Sequence, residues 1–464
     1  MGFVLSILYF FINYLTPAYL LGSLANLHIE VILGVLIFIV SLPALLNSFV
    51  LKSPQSLALI GLTVAVFLSV LISDHGFSGA VQGFLVFVPG GASFFFVCLH
   101  CNSRRRLKVL VLMMLLVCLF VIAHGAFDLA RGIPQNRPQP ESDSGDSIPT
   151  SITASQFFLK QASGEGQWIY RLQGLGEIND PNDFGQLIVC VLPLIFIFWR
   201  EKKVITNVLF VLLPACALLW GAYLTHSRGT LLALSAVVIV AARRRVGTIP
   251  AVLLVSGLIA GALALQFTGG RAISATAGED RTALWGESLQ ALKSHPLLGI
   301  GYQNTSDEMD HTPHNSVAVC GAELGLVGLY FWSLFLFPTL RDALTAASPL
   351  DVHDGEPIPA EESGFPQTVV SLEEIDKAEI NRLGQLMLLS LAGYLVAGWF
   401  LSRAFVMTLF LLGGITEAVY EMAQRRRMIA PRLRFDRVLI YSGFLAVALV
   451  LLLYVAVRIL NLTR

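Results

Sequence analysis

Long apolar runs, broken by short polar ones, set the pattern of this chain. Thirteen of them recur, near 4–22, 28–49, 56–73, 81–99, 107–126, 183–199, 205–223, 229–242, 249–267, 315–338, 383–401, 404–422 and 437–458. Most have the roughly 17–25 residues that a helix needs to cross a bilayer. Lipid satisfies no backbone group, so each is predicted as an α-helix. Glu30 and the break at Gly22-Ser23 blur the first pair, and the short 229–242 run is expected to extend into its flanks.

Three segments are too polar to span. Residues 127–182 include a Pro/Ser/Asp-rich run from Pro134 to Pro149, expected to be flexible. In residues 268–314, the stretch 281–294 reads as an amphipathic helix with Trp285, Leu289 and Leu292 on one stripe, ended by Pro296. Residues 341–382 carry ten carboxylates against Arg341, Lys377 and Arg382, as a solvated tether would. The predicted organisation is therefore N-terminal transmembrane helices (1–126), a first outer loop (127–182), central transmembrane helices (183–267), a second outer loop (268–314), one span (315–340), an acidic inner loop (341–382) and C-terminal transmembrane helices (383–464). No 20–50-residue repeat is evident, nor an inverted pair of broken helices of the transporter kind.

Composition agrees with this pattern. The 464 residues are 55% hydrophobic and 13% charged, about half the charge of an average soluble domain. A water-soluble globule could not cover its surface with so few charges. With 31 basic and 31 acidic residues the formal net charge is zero, which argues against a nucleic-acid binder. The fold class is all-α: a polytopic integral membrane protein of about 12–13 transmembrane helices, with a large outer loop carrying short helices.

The basic clusters orient it. Lys52, Arg104-Arg105-Arg106 with Lys108, Arg200 with Lys202-Lys203, Arg243-Arg244-Arg245, and Arg425-Arg426-Arg427 with Arg432, Arg434 and Arg437 put seventeen basic residues on one side. The opposite short loops hold only Arg228 and Arg403. The clustered side is predicted to be cytoplasmic. No cleaved signal peptide is expected. The six cysteines lie in or at the ends of spans and read as small apolar core residues, with no disulfide framework or zinc site implied.

Candidate chemistry gathers at the outer ends of the helices. In Leu224-Thr225-His226-Ser227-Arg228-Gly229-Thr230, a cation opens a helix against its macrodipole. That placement makes sense if Ser227, Arg228 and the free helix amides bind a phosphate; the plainer reading is an arginine snorkelling to headgroups. Arg281 lies one turn before Trp285, at the edge of an apolar stripe, or is simply a surface charge. His314, in Asp310-His311-Thr312-Pro313-His314-Asn315, stands just before a span, where a neutral imidazole could take a proton from a hydroxyl; capping or solvation is the alternative. His311 competes for that role. Two guanidinium groups suit a diphosphate and a histidine base suits an attacking alcohol. The combination argues for transfer from a polyprenyl-diphosphate donor to a hydroxyl acceptor.

The residues also carry a resemblance. His295-Pro296-Leu297-Leu298-Gly299-Ile300-Gly301, then His314-Asn315, then Glu323-Leu324-Gly325-Leu326-Val327-Gly328-Leu329, resemble the bacterial O-antigen ligase and polymerase superfamily. Ser227-Arg228-Gly229-Thr230 and Asp180-Pro181-Asn182-Asp183-Phe184-Gly185 add to the likeness, which covers about residues 170–340. The resemblance implies a metal-independent, inverting glycosyltransfer at the periplasmic face of the bacterial inner membrane, with no cofactor. A glycan on undecaprenyl diphosphate would pass to an acceptor glycan or lipid A core, with polysaccharide-assembly proteins as possible partners. By the same resemblance His314 matches the essential loop histidine, and Arg228 and Arg281 the diphosphate-binding arginines. Ser227, Asn315, Arg271, His311 and Asp183 are further substrate-binding candidates, although Asp180 and Asp183 could merely cap the helix after Pro181. Glu323, nine residues after His314, would face away from it on an unbroken helix and is expected to make a structural hydrogen bond. A flippase for lipid-linked glycans would also need cations for the diphosphate, but with polar groups along a mid-membrane path. A non-catalytic assembly subunit is the third reading.

Overall fold

A computed structural model describes residues 1–17, 27–46, 48–73, 76–132, 151–153, 155–162, 168–269, 275–305, 312–348 and 377–462. Every expected span is a helix: α1 (Gly2–Leu15), α2 (Ile29–Leu46), α3 (Pro54–Ile72), α4 (Gly76–His100), α5 (Arg104–Ala130), α6 (Pro181–Leu194, continued as a 3-10 turn over Ile195–Phe198) and α7 (Val204–Leu224). Then follow α8 (Arg228–Val246), α9 (Thr248–Ala264), the loop helix α10 (Ala275–Ser294), α11 (Ser316–Ala346), α12 (Lys377–Gly398), α13 (Met407–Gln424) and α14 (Phe435–Leu462). Helix α1 stops short of the expected residue 22, with Thr16 turning left-handed at φ 37°. Helix α10 begins six residues before the expected 281, and α11 runs on into the expected acidic loop.

Among the described residues, nine helices are long and apolar enough to cross a membrane. Helices α1 and α9 are apolar but shorter. Helix α8 carries arginines at both ends, and α13 holds Glu417 and Glu421. Helix α13 can carry them because it is enclosed by protein along nearly its whole length. Of the span in α11, 78% is buried, against 11% for α2, so α11 is central and α2 faces outward. Exposed leucines, valines and phenylalanines along α2, α9 and α14 form the broad apolar surface that lipid would cover. Helix α11 packs on α3, α14, α12 and α13, while α12 packs on α6 and α8.

The first outer loop holds something the apolar pattern did not predict. Strands β1 (Ser151–Thr153), β2 (Phe158–Ala162) and β3 (Trp168–Leu172) form a three-stranded antiparallel sheet, with Phe158 opposite Leu172 and Leu159 opposite Arg171. Phe158 and Leu172 are buried on α5 where Gly125 leaves no side chain in the way. The run Pro134 to Pro149 and most of the acidic loop lie outside the described residues.

Helix α11 is broken. Gly325 sits at φ 63° and ψ −161°, a conformation that L side chains rarely adopt. The broken turn exposes backbone groups that must be paired inside the bundle. The 296–301 segment pairs them: Ile300 and Gly301 N–H groups donate to the Ala322 and Glu323 carbonyls at 2.9 and 3.1 Å. In return, Leu326 and Val327 N–H groups donate to Pro296 and Leu297 at 2.8 and 3.2 Å. A side chain at Gly299 would collide with the Ala322 carbonyl, and one at Gly325 with that of Leu297. The two glycine-rich motifs are thus a clasp that lets irregular backbone sit inside a membrane bundle. The Glu323 carboxylate is buried there and accepts a hydrogen bond from Thr305 Oγ1 at 2.8 Å.

Candidate functional site

All basic clusters lie at one end of the bundle, here called the basic end. The starts of α6, α8, α11 and α13 lie at the other, the far end. The sequence builds these starts from capping residues. Asp180 caps α6 ahead of Pro181, accepting from Asn182 N at 2.7 Å. Ser227 caps α8 through Thr230 N at 3.2 Å, and Asn315 caps α11 through Val317 and Ala318 N at 2.9 and 3.0 Å. Helix α13 lacks a cap of its own; Glu177 supplies one, accepting from Met407 N at 2.9 Å.

Three arginines converge on this frame. Arg228 opens α8 and Arg281 lies on α10, both half-buried. The third, Arg171 on β3, was not singled out from the sequence. It is only 3% exposed. Its three hydrogen bonds go to uncharged oxygens: Thr225 O (2.9 Å), Gln161 Oε1 (2.8 Å) and Asn182 Oδ1 (2.8 Å). Burial pushes its pKa down to about 10; Asp180 opposes the shift, and the charges of Arg228 and Arg281 add to it. Burial likewise lowers the pKa of Arg281, followed by the charge of Arg228. The three cations thus lie close enough to feel one another, and Arg171 remains protonated at neutral pH.

His314 is exposed and adopts a left-handed backbone at φ 48°, a conformation costing a non-glycine residue about 1 kcal/mol. Contacts on both sides hold it. Trp285 Nε1 donates to Pro313 O at 2.8 Å, and the His314 N–H donates to Ser402 Oγ at 2.8 Å. Arg281 is four residues before Trp285, about 6 Å along the helix axis. Trp285 stands edge-on to Trp399 (6.0 Å between centroids) and packs on Ala318, Leu453 and Val457. Thus α10, the start of α11 and the 399–403 turn form one unit around His314. That turn also lies against the start of α8, next to Arg228: a Cβ at Gly229 would lie 3.6 Å from Phe400 Cβ.

Three of the expected substrate contacts are occupied by the frame itself. Ser227 is fully buried, and besides capping α8 its hydroxyl donates to Asn182 Oδ1 at 2.8 Å. Asn315 is fully buried, and its amide donates to Trp399 O at 3.0 Å. Asp183 is buried in an ion pair with Arg403. Each of these side chains has partners within the protein. Arg271 and His311 lie outside the described residues.

Residues 209–333 match a family model described as O-antigen ligase. That segment holds Arg228, Arg281 and His314, but neither Arg171 nor Arg403. No curated protein matches the chain.

Proposed function

We propose that this chain, whose residues 209–333 match the O-antigen ligase family, is a membrane glycosyltransferase of the O-antigen ligase and polymerase type. It moves a glycan from undecaprenyl diphosphate to an acceptor hydroxyl at the periplasmic face of the inner membrane. One observation carries the reading: Arg171, Arg228 and Arg281 gather at the same end of the bundle as an exposed histidine. Clustered cations raise one another's energy and are stabilised by an anion. A diphosphate at a membrane surface has that charge, and the donor's lipid tail suits the apolar flank.

In this mechanism His314 takes the proton of the acceptor hydroxyl as its oxygen attacks the anomeric carbon. The attack comes from the side opposite the carbon–oxygen bond to phosphate, and the configuration inverts. That bond breaks and its electron pair leaves with the polyprenyl diphosphate. The arginines stabilise the charge growing on the leaving group, so no general acid is needed. The acceptor hydroxyl belongs to another glycan or to a lipid A core.

Reconstituted protein given a lipid-diphosphate glycan and an acceptor, with EDTA present, should release polyprenyl diphosphate as glycosylated product forms. His314→Ala and Arg228→Ala should abolish both. Donor that crosses the bilayer with its diphosphate bond intact would make the protein a flippase instead.

A further inference from the structure

We propose that Asp183 and Arg403 are positioning residues, whose ion pair holds the 399–403 turn and His314 in register with the arginine cluster. This rests on the glycosyltransfer reading above. Neither residue lies in the segment matched by the family model.

Asn182 and Asp183 stand side by side at the start of α6 and serve different partners. Asn182 Oδ1 takes hydrogen bonds from Arg171 Nη2 and Ser227 Oγ, both at 2.8 Å, and so fixes the turn leading into Arg228. Asp183 pairs with Arg403, 220 residues further on. From Arg403 the contacts continue to the histidine. Its backbone N–H donates to Ser316 Oγ at 3.2 Å, and the Ser316 hydroxyl donates to Leu401 O at 2.8 Å. The neighbouring Ser402 Oγ accepts the His314 N–H at 2.8 Å. Through the chain neighbours Asn182–Asp183 and Ser402–Arg403, these hydrogen bonds link Arg171 to the backbone of His314.

The exposed, left-handed His314 gives these links their purpose. Its backbone is held in a conformation it would not adopt unaided, and the Ser402 hydroxyl fixes one side of that turn. Asp183 is 6% exposed and already engaged, so its effect on the reaction runs through Arg403. Asp180 and Glu177 are the other carboxylates whose charge reaches Arg403, and they are committed to capping α6 and α13.

The test separates turnover from donor binding in the full-length reconstituted protein, with inorganic diphosphate as the competitive probe. Asp183→Asn should lower kcat by about 10- to 100-fold, as misplacing a catalytic group by about 1 Å does. Donor KM and diphosphate inhibition should stay within about twofold, and Arg403→Lys should retain more turnover than Arg403→Gln. Ser402→Ala, which removes one hydroxyl, should lower kcat by about fivefold, the worth of one net hydrogen bond. Diphosphate inhibition weakened tenfold with kcat intact would make the pair a donor contact and overturn the proposal. Unchanged kcat in a folded Asp183→Asn protein would overturn it too. If that variant does not fold, Ser402→Ala decides, since unchanged turnover there is equally fatal. Wild-type protein that transfers no glycan would instead sink the underlying reading.

Discussion

The two ends of the bundle handle arginine in opposite ways. At the basic end Arg432 is surrounded by carboxylates: it pairs with Asp342 (3.2 Å) and Glu417 and lies 4.0 Å from Glu421, while Gln55 donates to Asp342 at 3.0 Å. Nearby, Arg104 and Arg382 share Glu379. At the far end Arg171 is more deeply buried (3% exposed, against 21% for the Arg432 side chain) and, among the described residues, bonds only to neutral oxygens, near two more arginines. A buried cation matched by carboxylates holds helices together, and its charge is spent. A buried cation held by neutral acceptors keeps its charge available to whatever enters the site. The far end also has its own matched pair, Asp183–Arg403, next to the Ser402 that holds the His314 backbone. Matching thus distinguishes framework from binding surface within a single end.

The largest expected effect is on the base. Loss of a positioned general base costs about 10²–10⁴-fold in rate, so His314→Ala should fall by about that factor in single-turnover assays while inserting and melting like the wild type. Wild-type rates would remove the histidine from the mechanism. Next come the cations proposed to meet the leaving group. Removing one preorganised donor costs about 10²–10³-fold, so Arg281→Ala should lower kcat/KM for the lipid-diphosphate donor by that order. The loss should shrink as salt is raised, because exposed charges are screened.

A third effect follows from the depressed pKa of Arg171. Its guanidinium loses its proton near pH 10 rather than 12.5. Inhibition by inorganic diphosphate should therefore weaken as pH rises through about 10, and Arg171→Gln should lose that pH step. The sign for stability is the reverse. A folded pKa below the unfolded one means that the folded state disfavours the charged form, so raising the pH past 10 relieves this group's cost. Affinity and melting temperature recorded together across pH 8–10.5 in both proteins would show whether this group's contributions move in opposite directions. Binding that falls equally in Arg171→Gln would exclude Arg171 as the titrating group.

What the sequence revealed, and what it hid, divides along range. The helices were legible because lipid leaves the backbone only one solution, and apolar length records it. His314, Arg228 and Arg281 could be proposed from the sequence because each stands at a helix end or on an amphipathic stripe, where a local pattern makes a polar residue conspicuous. Arg171 could not: β3 is five residues long, and an arginine in a short alternating stretch reads as a surface position. The alternation of Trp168, Tyr170 and Leu172 was the signal available for the strand. Arg403 registered only as an orienting charge, because its partner lies 220 residues away and one sequence cannot show that pairing. Ser227 and Asn315, candidates for substrate contact, also cap helices, since capping and binding use the same side chains, while Asp183, a candidate contact or cap, pairs with Arg403. The glycine motifs marked the family, while their physical task, closing the break at Gly325, emerged only from the backbone bonds.

The smallest effect on turnover should come from the deepest cation of the basic end. Arg432→Met leaves Asp342, Glu417 and Glu421 without their shared partner, and breaking a buried ion pair costs about 3–5 kcal/mol. Thermal melting in detergent should fall markedly, and the yield of folded protein with it. Turnover per folded molecule should nevertheless stay within about twofold of wild type, since nothing at the basic end touches the donor in the proposed reaction. A second substitution sharpens the point. Replacing Asp342 by Asn in the Arg432→Met protein removes one of the stranded charges and should recover part of the lost stability without changing kcat. If kcat per folded molecule collapsed in Arg432→Met and returned in the double variant, the basic end would be setting the geometry of the far end through α11 and α13. The separation between a structural end and a reacting end would then fail.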